Sequence, residues 1–354
     1  MLNPIADVAG FARRVIAWQR ESGRHDLPWQ GTRDPYRIWL SEIMLQQTQV
    51  ATVAGYYTRF LQRFPDVASL ARASQDDVMP YWAGLGYYAR ARNLHRCART
   101  VLEQYDGRFP HGIDDLGQLP GIGRSTAAAI AVFAFGARHP IMDGNVKRVF
   151  TRYFGIAGDT SRRAVEQSLW AAAHSVVAAA PAKADIAAYI QGLMDLGASL
   201  CSRTRPRCDA CPLASDCYAR RTATQGDFPT RKNRKARPER HCQMLILRRD
   251  GCVLLEQRPA PGIWGGLWSL PQYDDPEAMR TALWNWGLAP AQASPLEGLQ
   301  HAFSHFTLHI EPWLAQAGAS SLAQPAPAQA WRRIDELDSA ALPAPVKKLL
   351  ARVF

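Results

Sequence analysis

From Phe11 to Ala198 apolar side chains recur three and four positions apart, the spacing of helices that bury one face. Asp34-Pro35, Phe64-Pro65-Asp66 and Pro120-Gly121 punctuate the pattern. The stretch therefore predicts an all-α body of about ten helices of ordinary length. The apolar run Ala127 to Phe135 is far shorter than the roughly 18 residues that span a bilayer, and it reads as a buried helix. Further on the period changes. Gln243 to Leu247 and Cys252 to Glu256 are short apolar runs on either side of Asp250-Gly251, which predicts a β-hairpin. Phe303 to Leu314 predicts another strand region, and Pro345 to Val353 a closing amphipathic helix. Between the two patterns, Arg220 to Arg240 holds eight basic and two acidic residues with Gly226, Pro229 and Pro238, a linker composition. The chain is expected to be multidomain, with an all-α domain over 1–220, a basic linker over 221–239 and an α+β domain over 240–354.

Composition adds a partner class. The 354 residues are 47% hydrophobic and 21% charged, an ordinary globular balance that excludes global disorder. Lys plus Arg number 42 against 31 Asp plus Glu, and the formal net charge of +11 favours a polyanionic partner without identifying it. Met1 to Arg14 lacks the apolar core of a secretory signal, so a monomer in the cytosol, away from membranes, is expected.

Of seven cysteines, four crowd into a C-x6-C-x2-C-x5-C run: Cys201, Cys208, Cys211 and Cys217. Four thiolates in one loop can enclose a single metal centre, and soft sulfur selects zinc or iron-sulfur. Zinc ribbons offer two C-x-x-C knuckles; this loop has only Cys208 and Cys211, which favours [4Fe-4S]. Arg203, Arg205 and Arg207 add positive charge to the loop, either for a phosphate backbone or as a plain solvated face. Upstream, Leu119-Pro120-Gly121-Ile122-Gly123-Arg124-Ser125 leads into the Ala-rich helix. Gly121 and Gly123 allow a sharp turn whose free N–H groups suit a phosphate oxygen, although an ordinary interhelical turn has the same composition.

Two carboxylates stand out. Helical spacing puts Glu42 on a face with Ile38, Trp39, Leu45 and Gln46. Desolvation there would raise its pKa and make it a proton donor near neutrality; the plainer reading is a surface carboxylate on a helix edge. Asp143, in Ile141-Met142-Asp143-Gly144-Asn145, precedes the periodic Val146, Val149 and Phe150 and is first of all an N-cap. An aspartate held ionised by helix N–H groups can also stabilise a positive charge on a nearby sugar.

Ser41-Glu42-Ile43-Met44-Leu45-Gln46-Gln47-Thr48-Gln49-Val50, Gly84-Leu85-Gly86-Tyr87-Tyr88, the Pro-Gly-Ile-Gly hairpin, Met142-Asp143-Gly144-Asn145-Val146-Lys147-Arg148 and the four cysteines follow one another over residues 11 to 217. Together they resemble the MutY family of adenine DNA glycosylases in the helix-hairpin-helix superfamily. The resemblance implies a helical glycosylase domain with a [4Fe-4S] cluster, acting on double-stranded DNA, with other base excision repair proteins as further partners. It would remove adenine mispaired with 8-oxoguanine or guanine after the nucleotide is flipped out of the stack. Glu42 would protonate the base at N7, Asp143 would stabilise the oxocarbenium-like sugar, and Asn145 would orient the aspartate. Gln47 and Tyr87 would wedge into the stack, with Thr48 and Leu85 beside them in the same base-flipping motifs. Gln30 and Gln191 match positions that contact the adenine.

Strand-nicking relatives such as endonuclease III carry a Schiff-base lysine where this chain has Ser125. A monofunctional enzyme is therefore expected. The C-terminal region resembles the Nudix fold at Gly265 to Pro271, but Thr281, Ala282, Leu283 and Trp284 stand where metal-binding glutamates are needed. A binding module is expected instead, with Phe303, Ser304 and His305 similar to the loop by which the family reads 8-oxoguanine. The alternative to the enzyme is a non-catalytic iron-sulfur DNA-binding protein.

Overall fold

The computed structural model describes residues 6–230, 236–318 and 324–354, so positions 231–235 of the expected linker lie outside the described residues. The chain forms two compact units, Met1–Ala71 with Arg96–Asn233 and Arg72–His95 with Arg234–Phe354. Among the described residues up to Ser199 there are eleven helices: α1 (Val8–Ser22), α2 (Pro35–Leu45), α3 (Val50–Arg63), α4 (Val67–Arg72), α5 (Gln75–Trp82), α6 (Ala89–Gln104), α7 (Ile113–Gln118), α8 (Arg124–Phe135), α9 (Gly144–Phe154), α10 (Arg163–Ala179) and α11 (Ile186–Ser199). A short α12 (Tyr218–Arg221) follows the cysteines. None is long and apolar enough to cross a membrane.

Helix starts follow local chemistry. Asp34 accepts from the Tyr36 N–H at 2.9 Å with Pro35 in the first helical position, and Asp185 accepts from the Ala188 N–H at 3.0 Å to begin α11. The apolar periodicity of α1, α9 and α11 meets in one aromatic core. Phe11 lies 5.5, 4.7, 5.9 and 6.3 Å, ring centre to ring centre, from Phe150, Tyr153, Phe154 and Tyr189. At Gly197 a methyl group would sit 2.5 Å from Cβ of Asn145, so α11 and the start of α9 approach as closely as glycine alone permits. Helix α8 packs Ala127 to Val132 inside, as the apolar run predicts.

The second unit is built on a twisted mixed sheet. Its strands are β1 (Glu239–Arg249), β2 (Cys252–Gln257), β3 (Trp268–Ser269), β4 (Gln272–Tyr273), β5 (Ser294–Pro295), β6 (Leu299–Ala302), β7 (Thr307–Gln316) and β8 (Gln329–Arg333), in the order β3-β2-β1-β7-β5. Strand β4 pairs with β1, β6 with β7 and β8 with β2. The pair β1 and β7 is parallel. The Asp250-Gly251 hairpin is present: both residues have positive φ, 47° and 72°, as a two-residue turn between twisted strands requires. Helix α13 (Pro276–Asn285) covers one face through Met279 and Leu283, packed with Leu245, Leu247 and Leu254, and α14 (Ala344–Leu350) closes the chain.

Candidate active site

A cavity of about 530 Å³ opens in the helical unit, within the range of small-molecule sites. Glu42, Gln30, Gln191 and Trp29 line it, and Ile38 and Leu45 flank Glu42 on the same face of α2. Two effects act on Glu42, and both favour its protonated form: burial first, then the negative charge of Asp143. Together they push its carboxyl up to about 7.

Asp143 is the N-cap of α9 and accepts from the Val146 N–H at 2.7 Å. Burial raises its pKa as well, but the backbone N–H groups of Val146 and Asn145 and the Arg148 guanidinium oppose that rise. The pair thus divides the labour. Asp143 has donors that favour its charged form, whereas both effects on Glu42 favour the protonated one. The Ser125 hydroxyl, on the first turn of α8, accepts from the Met142 N–H at 3.0 Å and braces the segment that presents Asp143. Lys147, four residues beyond Asp143, is ion-paired with Glu166 at 3.0 Å. Asn145 reaches the aspartate through its backbone and not its amide, whose Oδ1 accepts from Arg148 Nη2 at 2.8 Å.

Arg148 and Arg152 carry α9 onward to the cysteines. Arg148 donates to the carbonyls of Cys201 and Gly197 at 2.7 and 2.6 Å. Arg152, 2% exposed, donates to the carbonyls of Ser202, Arg203, Gln225 and Phe228 at 2.7 to 3.1 Å and lies 3.3 Å from the Cys201 sulfur. The four sulfurs line one small cavity, and burial with the neighbouring thiols pushes Cys211 up to about 12. Four thiol sulfurs around one cavity are a donor set that suits a soft metal centre, zinc or iron-sulfur.

An Arg152→Met variant would strip these carbonyls of their donor inside the protein. It is expected to lower stability by about 3 kcal/mol or more, read as a lower urea midpoint at unchanged slope.

Other expected site residues are placed as follows. Gln47 is exposed and Tyr87 is 46% exposed, each at positive φ (58° and 49°), where a non-glycine backbone is strained. Both therefore stand out on sharp turns. The Thr48 hydroxyl donates to the Gln46 carbonyl at 3.3 Å and so belongs to the first turn's own scaffold. Leu85, in the second turn, is 6% exposed. That turn is braced by Arg90, whose Nη2 donates to the carbonyls of Leu85 and Gly86 at 3.2 and 3.1 Å. Gly121, with φ 79°, and Gly123 lie exposed between α7 and α8. In the second unit Phe303 stacks on Phe306 at 4.5 Å, leaving Ser304 and His305 exposed at the tip between β6 and β7.

Residues 40–174 match the HhH-GPD superfamily of base excision DNA repair proteins, and residues 242–352 match the NUDIX domain. The chain is 34% identical to the adenine DNA glycosylase of Buchnera aphidicola subsp. Schizaphis graminum, over 96% of this chain and 97% of that protein. It is 33% identical to the adenine DNA glycosylase of Homo sapiens, over 100% of this chain and 76% of that one. A thermostable thymine-DNA glycosylase superposes with TM-score 0.54 at 28% identity, over 61% of this chain and 97% of its own. The architecture expected from the sequence is borne out: a helix-hairpin-helix glycosylase domain followed by a Nudix-like α+β domain.

Proposed function

The chain belongs to the adenine DNA glycosylase family, and from that premise we propose that it is a monofunctional hydrolase releasing adenine mispaired with 8-oxoguanine or guanine in duplex DNA. The carrying observation is the protonatable Glu42 in the cavity wall beside the capped Asp143. With the nucleotide extruded, Glu42 gives its proton to N7 of the adenine while the C1′–N9 bond breaks and its electron pair leaves with the base. Asp143 holds its negative charge against the oxocarbenium-like sugar. Water then adds its oxygen to C1′, and its proton returns to Glu42.

Gln47 and Tyr87, raised on strained turns, serve as wedges, while Gln30 and Gln191 bound the base. The exposed Gly121 and Gly123 N–H groups meet the phosphate backbone, and Ser304 with His305 reads the damaged guanine. Cys201, Cys208, Cys211 and Cys217 hold a [4Fe-4S] cluster, which when bound cross-links their loop. The monofunctional reading is supported by Ser125 bracing the Asp143 segment and by the ion pair of Lys147 with Glu166.

The test is a duplex with one 8-oxoguanine:adenine pair. Adenine should be released, the strand should stay intact until alkali is added, and borohydride should not trap the protein. Prompt cleavage with stoichiometric trapping overturns the monofunctional reading, and binding without release favours the non-catalytic alternative.

A further inference from the structure

Asp195, one turn beyond Gln191 on α11, is 2% exposed. Its Oδ1 accepts from Gln191 Nε2 at 2.9 Å and from Arg24 Nε at 2.7 Å, with Arg24 Nη2 at 2.6 Å; its Oδ2 accepts from the Arg24 backbone N–H at 3.0 Å. Carboxylate oxygens accept hydrogen bonds, and the Arg24 donors already face this one. The Gln191 amide must therefore turn its NH2 to Asp195, and its carbonyl oxygen is the end left for the cavity that Gln191 lines. Arg24 carries the arrangement further. Its carbonyl accepts from Gln30 Nε2 at 2.9 Å, while Gln30 Oε1 accepts from the Leu27 N–H at 3.0 Å.

We infer that Asp195 is a specificity-determining positioning residue: by fixing Gln191 with its oxygen toward the base, it admits purines with an amino group at C6 and rejects those with a C6 carbonyl. The inference rests on reading the cavity as the adenine pocket. Adenine offers a donor at that position, whereas hypoxanthine and guanine offer an oxygen. Oxygen facing oxygen leaves two acceptors unpaired in an enclosed site, and that mismatch separates the two purine classes.

Asp195→Ala removes the acceptor. The Oδ1 that holds both the Arg24 guanidinium and Gln191 Nε2 is gone, so nothing keeps the glutamine NH2 turned inward and the amide is free to present either end to the cavity. Single-turnover release is measured on duplexes that differ only in having adenine or hypoxanthine opposite 8-oxoguanine. In the variant the adenine-to-hypoxanthine rate ratio is expected to fall by about 10-fold or more. A general loosening of the site would slow both bases together and leave the ratio alone. An unchanged ratio in folded protein overturns the inference. Gln191→Leu supplies the second arm, because without the oxygen the ratio should collapse with Asp195 intact and should not respond to a further Asp195→Ala change. A ratio that survives in Gln191→Leu also overturns it, even if Asp195→Ala proves too unstable to assay. Wild-type protein that releases no adenine would instead sink the adenine-pocket reading beneath it.

Discussion

Glu42→Gln is expected to slow single-turnover adenine release by about 10²- to 10⁴-fold while leaving duplex binding intact. The substitution keeps the shape of the side chain and removes the only thing the chemistry asks of it, a transferable proton. Burial, and after it the charge of Asp143, puts the carboxyl near 7, so the acid is loaded at neutral pH and still a willing donor. The working form is the protonated one, so the wild-type rate should be flat below neutrality and fall about tenfold per pH unit above about 7. The variant's residual rate should lose that alkaline limb. Stability falls over the same range of pH. A carboxyl with a raised pKa contributes stability that is complete below about 4.5 and is lost as pH rises through about 7. The glutamine protein should therefore outlast wild type in urea at pH 9, by at most ~3 kcal/mol and less where cavity water screens the charge, and should match it at acid pH. Full activity in the variant, or a wild-type rate indifferent to pH between 6 and 9, would remove Glu42 from the mechanism.

The local half of this site was legible before any coordinates. Helical spacing grouped Glu42 with Ile38 and Leu45, and both flank it in the cavity wall, because a helix face is fixed by the chain within two turns. The cap at Asp143 and the Asp250-Gly251 turn are equally local, each set by the few residues around it. Polar groups that act at a distance left no such trace. Arg148, Arg152 and Asp195 interrupt apolar stripes and read as ordinary charged positions, yet they find partners 49 to 171 residues away. Nothing in periodicity announces such a pairing. The same holds for the parallel pairing of β1 with β7 and for β8 on β2, where register depends on chain segments brought together late. Leu85 is a different case: a motif names a neighbourhood, while the burial of each of its side chains is set by the packing around it.

Asp143→Asn separates two duties that one residue performs. Asparagine caps a helix as well as aspartate does, so the Val146 N–H keeps an acceptor and α9 should keep its start. Thermal unfolding should shift little. What disappears is the negative charge, and with it the electrostatic support for the sugar cation, a loss expected to slow adenine release by about 10²- to 10³-fold. A second consequence follows from the same charge. Asp143 raises Glu42, so neutralising it lets Glu42 give up its proton more readily, and the alkaline limb of the residual activity should move to lower pH. A merely structural aspartate would move the melting temperature and leave the limb where it was. A slow but measurable variant whose limb has shifted downward, on an unaltered fold, is the signature of a carboxylate that both steadies the cation and keeps the neighbouring acid loaded. A limb that stays in place would mean that burial alone tunes Glu42 and that the two carboxylates act independently.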